Sequence, residues 1–408
     1  MTYEQAQAKL RENGQLHLLK YYDELSELSK EKLLAQIDSV PFSFDDVGTV
    51  DDDIEPIEAV SLAEIAENRE TYEKIGLEAI KRGEIGAVLL AGGQGTRLGC
   101  DTAKGLVDIG ITRPLYIFEC LFNNLIEVVK KAGVFIPFYI MTSVINDTQT
   151  RTFLNEKNYF GYNPEYVKFF VQSSFPATDF NGKILLKSKD SLALSPNGNG
   201  GWFESMNNAG LDKDLEENNI KWLNCFAVDN VCQRIADPVF IGAVLGGKSP
   251  DGRPFDSGAK VVRKSNPAER VGVLCKRDGK PAVAEYYELS DEQMNARRPD
   301  GTLKWDNALT LNYLFALQSL KNLRGVSLPV HKVKKKIKCL DDSGNPISPE
   351  IENGYKYEIL ILDMVHEMNN CLPFEVLREY EFAPIKNKEG VDSIETAREL
   401  LKKNGVKL

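Results

Sequence analysis

The chain has 408 residues, of which 42% are hydrophobic and 27% are charged, with a formal net charge of −10 at pH 7. This length and composition predict a large α/β domain with a smaller one and exclude a disordered chain. The negative charge argues against a general nucleic-acid-binding surface, so any affinity for phosphate must come from a local group of cations.

The pattern of cysteines and the N-terminal residues indicate in which cellular compartment the protein is expected. The seven cysteines are scattered without a CxxC pair, which predicts reduced thiols and neither a disulfide framework nor a zinc site. The chain begins with polar and charged residues, MTYEQAQAKL, and contains no run of 18 apolar residues. We therefore expect a soluble cytoplasmic protein that does not bind membranes.

Residues 1–82 are predicted to form an N-terminal helical region. Apolar residues recur at near-helical intervals from Leu10 to Leu28, and a further helix is predicted from Leu62 to Arg82. The segment between them, Phe42 to Glu55, is rich in aspartate but lacks the terminal ligand of an EF-hand loop. We interpret it as a solvated acidic linker.

A buried-type strand and a glycine-rich turn follow at Ile85–Gly99, IGAVLLAGGQGTRLG. The apolar run ending at Ala91 is typical of a central parallel strand, so a ligand is expected at its carboxyl end. Gly92, Gly93 and Gly95 lack Cβ atoms, so the backbone can take positive φ there and direct N–H groups at phosphate oxygens.

Two cations accompany this turn. Arg97 carries a planar fork of donors suited to phosphate, and Lys104 follows in the sequence AKG. The glycine spacing matches neither the dinucleotide pattern GxGxxG nor a Walker A loop. The segment is therefore predicted to be a phosphate-binding turn of another kind.

The next elements alternate between helix and strand. A helix is predicted from Pro114 to Ala132, and strands at Ile136–Met141, Val167–Val171 and Lys221–Val228. This pattern indicates a doubly wound α/β core. Asp229 follows the last of these strands, where a carboxylate points toward the ligand crevice.

Antiparallel strands are predicted after the core. They lie at Gly258–Lys264 and Val271–Tyr287, the latter with a hairpin turn at Arg277–Lys280, and would form an inserted lobe over the substrate. The run Lys332–Lys338 alternates charged and apolar residues, as an edge or surface strand does. A helix is predicted at Ser393–Asn404. We therefore divide the chain into the helical region, a catalytic domain at 83–386 and a short helical tail at 387–408.

The motifs of this chain resemble those of the eukaryotic-type UDP-sugar pyrophosphorylases. AGGQGTRLG followed by AKGLVDIG is similar to their signature LAGGxGTRLG then PKG. Six further matches occur in family order and cover nearly the whole chain, at Ser195–Gly201, Val228–Asn230, Ala236–Pro238, Gly258–Val262, Val283–Tyr286 and Phe382–Asn387. The resemblance is closest to the UDP-N-acetylhexosamine branch.

The resemblance implies a fold and an activity. The fold is a Rossmann-like doubly wound mixed sheet of the nucleotide-diphospho-sugar transferase type, with an N-terminal helical segment and an inserted antiparallel sugar-binding lobe. The activity is Mg²⁺-dependent transfer of uridylyl from UTP to a hexose 1-phosphate, giving a UDP-sugar and pyrophosphate. This transfer needs positioning and charge neutralisation more than a protein nucleophile, and the sequence offers no nucleophile constellation.

The resemblance also implies roles for single residues in phosphate binding. Arg97 would steady the β and γ phosphates, Lys104 would neutralise the departing pyrophosphate, and Lys386 would bridge the sugar phosphate and the α-phosphate. Asp229 would be the Mg²⁺ ligand, with a helix cap as its structural alternative. The nucleotide itself would be held by Ala91, Gly92, Gly93, Gly95 and Thr96.

Base and sugar selection are implied in the same way. Gln172 and Gly198 would select uracil, and Asn199 would reach the sugar hydroxyls, although PNGNGG also suits a simple turn. Glu285 and Tyr286 would hold the hexose, with an ordinary strand pair as the alternative.

Two departures from the family pattern bear on these roles. Ala103 replaces the usual proline before Lys104, which is expected to loosen the loop without removing its charge. The family pattern FNAGNI is replaced by Trp305–Asn312, in which Asn307 is the nearest match to the sugar-contacting asparagine and requires a shifted alignment.

The sequence leaves the sugar open. N-acetylglucosamine 1-phosphate is the preferred hexose, and glucose or galactose 1-phosphate is the alternative. A non-catalytic nucleotide-sugar sensor is the rival from another class, and the oligomeric state stays open, with a monomer as one option.

Overall fold

The structure is a computed structural model that describes residues 1–44 and 54–408. Most of the predicted acidic linker, residues 45–53, lies outside the described residues.

The chain has a mixed α/β fold. Its strands are β1 Ile54–Pro56, β2 Ile85–Leu90, β3 Phe138–Thr142, β4 Val167–Val171, β5 Ser174–Pro176, β6 Leu186–Ser188, β7 Ser191–Leu192, β8 Leu194–Pro196, β9 Trp222–Ala227, β10 Ser257–Arg263, β11 Val273–Arg277, β12 Lys280–Ala284, β13 Asn307–Ala316, β14 His331–Lys335, β15 Cys339–Leu340, β16 Pro346–Ile347, β17 Gly354–Glu358 and β18 Leu372–Glu375.

The helices are distributed along the whole described chain. They are α1 Tyr3–Glu12, α2 Glu27–Ser39, α3 Leu62–Lys81, α4 Ile117–Ala132, α5 Asp147–Glu156, α6 Trp202–Asn208, α7 Leu211–Glu217, α8 Pro238–Gly246, α9 Asp291–Asn295, α10 Leu317–Asn322, α11 Ile361–His366, α12 Arg378–Glu381 and α13 Ile394–Lys403. No helix within the two described ranges has the length and apolar character that crossing a bilayer requires.

Tertiary contacts divide the chain into two compact units. Of the described residues, the first unit comprises 1–44, 173–201 and 327–361, and the second comprises 54–172, 202–326 and 362–408. These bounds differ from the division at residues 82 and 386 drawn from the sequence, which stays a prediction.

The second unit is built on a ten-stranded mixed sheet. Its main path runs β1-β11-β13-β9-β2-β3-β4, while β10 pairs with β13 and β18, and β12 pairs with β11. The four strands β9, β2, β3 and β4 run parallel, whereas β13 is antiparallel to β9. The carboxyl ends of the parallel strands therefore meet at one edge, where α/β proteins place their ligands.

The strands and helices predicted for this unit are confirmed, with ends shifted by a few residues. The predicted hairpin turn is also confirmed, since Asp278 and Gly279 both have positive φ, at 53° and 75°, between β11 and β12. Such a pair of left-handed residues gives the twist that a two-residue hairpin needs.

The first unit combines the N-terminal helices with short two-stranded sheets. Its core contains Leu10, Leu18, Leu33 and Ile37 from the N-terminal segment together with Ile184 from the later one. The apolar stripe from Leu10 to Leu28 is broken, because α1 ends before Gly14, which has φ 66°, and two 3-10 turns follow before α2. Among the described residues, the run of lysines at β14 pairs with β17 alone, as expected of an edge strand.

Candidate functional site

The glycine turn after β2 folds back on itself, and backbone hydrogen bonds hold it in that shape. Gly95 N–H donates to the carbonyl of Thr102 at 2.8 Å, and Lys104 N–H donates to the carbonyl of Gly93 at 3.2 Å. The turn thus places Lys104 beside the glycines despite their distance along the chain. Of the described residues in this turn, Gly99 has positive φ, at 81°.

The expectation of positive φ at Gly92, Gly93 and Gly95 is therefore wrong. Gly92 is needed for another reason, since a Cβ atom there would lie 2.6 Å from Oε1 of Gln172. Gln172 is almost fully buried, and its N–H donates to the carbonyl of Thr142 at 2.8 Å. The structure thus brings together two residues predicted to contact the nucleotide.

Two side chains from the α5 region support the turn. The buried amide of Asn146 donates from Nδ2 to the carbonyl of Ala91 at 2.9 Å, and Oε1 of Gln149 accepts the N–H of Ala103 at 3.0 Å. A proline at position 103 would have no N–H for this bond. The alanine therefore gains an anchor, which offsets the loosening expected from the loss of proline.

Lys104 and Asp229 face each other where β2 and β9 end. The Lys104 ammonium lies 3.8 Å from Oδ2 of Asp229, and the side chains are 18% and 21% exposed. Both charges therefore remain accessible to a ligand. Arg97 lies in the same turn and is exposed.

The chain before Lys386 is hydrogen-bonded to the same strand end. Ile385 N–H donates to the carbonyl of Asp229 at 2.9 Å. The buried amide of Asn230 accepts the N–H of Ala383 at 2.9 Å and donates to the carbonyl of Glu381 at 2.7 Å. Asp229, the predicted metal ligand, and Lys386, predicted to be catalytic, therefore lie on two chain segments that are hydrogen-bonded to each other.

A buried ion group supports the segment before Lys386. Lys260 on β10 donates to Asp237 at 2.9 Å and to Glu381 at 2.6 Å, and all three side chains are buried. Burial opposes the charged form of Lys260, but the two carboxylates outweigh it and raise the pKa of its ammonium. Burial likewise acts against ionised Asp237, and the charge of Lys260 lowers the pKa of that carboxyl overall.

Sequence reasoning assigned no role to these supporting residues. Asn146 and Gln149 stand alone among ordinary helix-start residues, and no local pattern marks them. Lys260, Asp237 and Asn230 lie in motifs matched to the family, and that was the one signal available.

The predicted sugar contacts within the second unit are spread over different surroundings. The N–H of Glu285 donates to Glu288 at 2.6 Å, and the Arg270 guanidinium lies 5.8 Å from the ring of Tyr286. Asn307 is buried, and its Nδ2 donates to the carbonyl of Ile57 at 2.5 Å. The amide of Asn307 thus serves the packing of β13.

Gly198 and Asn199 lie in the first unit. Gly198 has φ 87°, and a Cβ atom there would lie 2.2 Å from the carbonyl oxygen of Ile359. Oδ1 of Asn199 accepts the N–H of Ile361 at 3.0 Å. Both residues shape the loop between β8 and α6. A side chain at position 198 would clash with the backbone of this unit, which explains the glycine.

The fold and the site define a mixed α/β protein with a glycine turn and paired charges at the carboxyl edge of its parallel strands, as nucleotide-binding proteins have. A family model described as UTP–glucose-1-phosphate uridylyltransferase matches residues 47–402. The chain therefore belongs to the UTP–glucose-1-phosphate uridylyltransferase family, which confirms the resemblance read from the motifs.

Similar proteins come from several eukaryotes. UDP-N-acetylglucosamine pyrophosphorylase of Saccharomyces cerevisiae is 35% identical, with 95% of this chain and 87% of the yeast protein covered. UDP-N-acetylhexosamine pyrophosphorylase-like protein 1 of Xenopus tropicalis is 32% identical, with 95% and 81% covered. The solved structure of uridine diphosphate N-acetylglucosamine pyrophosphorylase from Trypanosoma brucei superimposes with a TM-score of 0.79 at 25% identity, covering 97% of this chain and 83% of that one.

Proposed function

We propose that this chain is a Mg²⁺-dependent uridylyltransferase that forms a UDP-sugar and pyrophosphate from UTP and a hexose 1-phosphate, with N-acetylglucosamine 1-phosphate as the preferred sugar. The observation that carries the proposal is the 3.8 Å approach of Lys104 to Asp229 beside the chain that leads to Lys386. Two lysines and a carboxylate near a glycine turn are suited to a nucleoside triphosphate and its metal. The names of the yeast and Trypanosoma relatives support the choice of sugar.

The reaction is an in-line displacement at phosphorus. An oxygen of the sugar 1-phosphate attacks the α-phosphorus of UTP, the bond to the β-phosphate oxygen breaks, and pyrophosphate leaves with the electron pair. Ala91, Gly92, Gly93, Gly95 and Thr96 hold the nucleotide through the turn. Backbone hydrogen bonds from Ala91 to Met141 and from Gly95 to Thr102 hold the turn in this shape, which limits the reorganisation that binding requires.

The cations act on the charge of the phosphates. Arg97 binds the β and γ phosphates, and Lys104 neutralises the pyrophosphate as it leaves. Lys386 donates to the α-phosphate and to the sugar phosphate, and this contact is strongest when five oxygens surround phosphorus.

Asp229 is the proposed ligand for Mg²⁺. Within the described ranges no three histidine, cysteine, aspartate or glutamate side chains gather in a group that could hold a metal ion. A lone carboxylate beside phosphates fits Mg²⁺, which takes one or two protein oxygens and keeps phosphate and water ligands. When bound, the ion supplies positive charge to the phosphates.

The remaining roles follow the family resemblance. Gln172, beside Gly92, selects uracil, and Glu285 and Tyr286 contact the hexose. The resemblance also assigns Gly198, in the first unit, to uracil and Asn199 to the sugar hydroxyls. We do not extend the hexose role to Asn307, because its buried amide donates to the carbonyl of Ile57. The β11–β12 hairpin, which continues the ten-stranded sheet beyond β13 instead of forming a separate lobe, is the proposed sugar-binding part of a Rossmann-like doubly wound fold. The partners are small molecules, and a cytoplasmic location stays a prediction.

A pyrophosphate-release assay tests the proposal. The purified chain is incubated with UTP, Mg²⁺ and one of N-acetylglucosamine, N-acetylgalactosamine, glucose or galactose 1-phosphate. We expect the highest kcat/KM with N-acetylglucosamine 1-phosphate. Higher values with glucose or galactose 1-phosphate would support the alternative enzyme, and UDP-sugar binding without turnover in either direction would support the sensor.

Replacing Asp229 with asparagine tests the metal role. We expect the Mg²⁺ concentration for half-maximal rate to rise at least about tenfold, because the amide keeps the shape but loses the charge that binds the ion. Asp23→Asn, at an exposed aspartate of the N-terminal region, is the matched control. A parental metal requirement in Asp229→Asn would show that the ligand is another residue.

A further inference from the structure

The Lys386 ammonium forms an ion pair with a carboxylate that has no assigned role. Oδ2 of Asp392 lies 3.5 Å from Nζ of Lys386, and the two side chains are 29% and 43% exposed. The ammonium also lies 6.0 Å from the ring of Phe382, on the segment that pairs with Asn230. An ion pair and a long cation–π contact therefore both act on this ammonium.

Backbone hydrogen bonds place Asp392 at this distance. The N–H groups of Lys386 and Asn387 both donate to the carbonyl of Asp392, at 2.7 Å and 3.0 Å. Nδ2 of Asn387 donates to the carbonyl of Val391 at 2.8 Å. Residues 386–392 thus form a closed loop, and Asp392 has φ 56°, a left-handed conformation that aspartate adopts more readily than most residues.

The helix that follows fixes the position of this loop. Ser393 caps α13, and Arg398 on α13 donates from Nε to the carbonyl of Ile109 at 2.9 Å and from Nη2 to that of Gly110 at 2.8 Å. Ile109 and Gly110 lie on the segment that continues from Lys104. The loop of Lys386 and the segment of Lys104 are thus attached to the same helix.

We propose that Asp392 is a positioning residue that holds the Lys386 ammonium at the crevice before the phosphates bind. Lysine has a four-carbon stem with large rotamer freedom, so an unheld ammonium spends much of its time away from the reacting atoms. A single, partly exposed carboxylate restrains it but gives it up to a ligand that carries several negative charges. The proposal rests on the function proposed above.

Asp392→Asn is the decisive variant. Asparagine tolerates the left-handed conformation. The backbone carbonyl of residue 392 still accepts the two N–H groups, so the variant retains the loop and loses only the charge of the side chain. We expect kcat to fall about tenfold and the KM of each substrate to stay within about twofold, because positioning is lost at the transition state. Glu379→Gln is the control, since it removes an exposed ion pair with Lys403 on α13 and leaves Lys386 untouched.

A double-mutant cycle with Lys386→Ala separates positioning from a structural role. If Asp392 acts through Lys386, Asp392→Asn causes no further loss of kcat in the Lys386→Ala background. An equal fold loss in both backgrounds, or a parental kcat in Asp392→Asn, overturns the inference while the enzyme remains active. A parent chain that releases no pyrophosphate with any of the four sugar phosphates overturns the proposed function, and this inference with it.

Discussion

At the scale of single residues, the ion pair between Lys104 and Asp229 matters more for ligand binding than for stability. The side chains are 18% and 21% exposed and lie 3.8 Å apart, so solvent screens their attraction. The pair is therefore easily exchanged for phosphate on the lysine side and for a metal on the aspartate side. The two groups hold each other near the glycine turn until the ligand binds.

Lys386 is expected to contribute chiefly to the transition state. Replacing it with alanine should lower kcat at least about 100-fold, which corresponds to about 3 kcal/mol for one lost donor to the developing charge. Lys388→Ala, two residues further in the same exposed loop, is the matched control. Steady-state kinetics of both variants decide the role, and a Lys386→Ala enzyme with parental kcat would remove this lysine from the mechanism.

Gly92 is expected to control the position of Gln172. In Gly92→Ala the new Cβ atom would lie 2.6 Å from Oε1 of Gln172, and the end of that side chain must move. Because the end of a side chain moves and the backbone does not, the free energy of unfolding should fall by about 1 kcal/mol, the low end of the cost of overpacking. We expect a higher KM for UTP and weaker discrimination against CTP. Gly93→Ala, where no atom lies within 4 Å of the added Cβ, is the control, and parental base selectivity in Gly92→Ala would contradict the role of Gln172.

At the scale of elements, α3 and α8 pack through two glycines. A Cβ atom at Gly76 of α3 would lie 1.9 Å from the carbonyl oxygen of Pro238, and one at Gly242 of α8 would lie 1.7 Å from that of Tyr72. The helices thus approach with backbone against backbone. This crossing buries α8, which begins at the cap Asp237 and so at the ion group that supports the segment before Lys386.

Gly242→Ala should therefore destabilise the fold. Neither backbone can yield without separating the helices, so we expect a loss of about 3 kcal/mol in the free energy of unfolding, despite the better helix propensity of alanine. Gly246→Ala on the same helix meets only the end of the Ile75 side chain at 2.9 Å and should cost less than about 1 kcal/mol. Denaturant unfolding of the two variants makes the comparison, and equal stabilities would disprove the close crossing.

At the scale of the whole molecule, the thiols report on the folded state. All seven cysteines are free, six are buried and Cys100 is partly exposed. Burial raises the pKa of Cys120 and Cys371 to about 12 and that of Cys232 to about 11. The buried thiols are therefore protonated and inaccessible near neutral pH.

Alkylation with iodoacetamide at pH 8 should distinguish folded from unfolded chains. We expect one modified cysteine per folded chain, Cys100, and seven after unfolding in guanidinium, as counted by mass spectrometry. Rapid modification of Cys120 or Cys225 in the folded protein would show that the core opens more readily than its burial implies.

Local patterns in the sequence determined the elements and the chemistry of the turn. The apolar run of β2, the Asp278–Gly279 turn and the helix at Ser393–Asn404 each depend on side-chain spacing and backbone preferences within a few residues. The motif around Arg97 and Lys104 likewise determined the family.

The tertiary structure decided which distant residues meet, such as Lys260 with Glu381, which lie 121 positions apart. It also decided that glycine at 92 gives room to Gln172 instead of permitting positive φ, that Asn307 is buried, and that Asp392 lies beside Lys386. Such contacts depend on how the whole sheet brings chain segments together, and residue spacing does not encode that geometry.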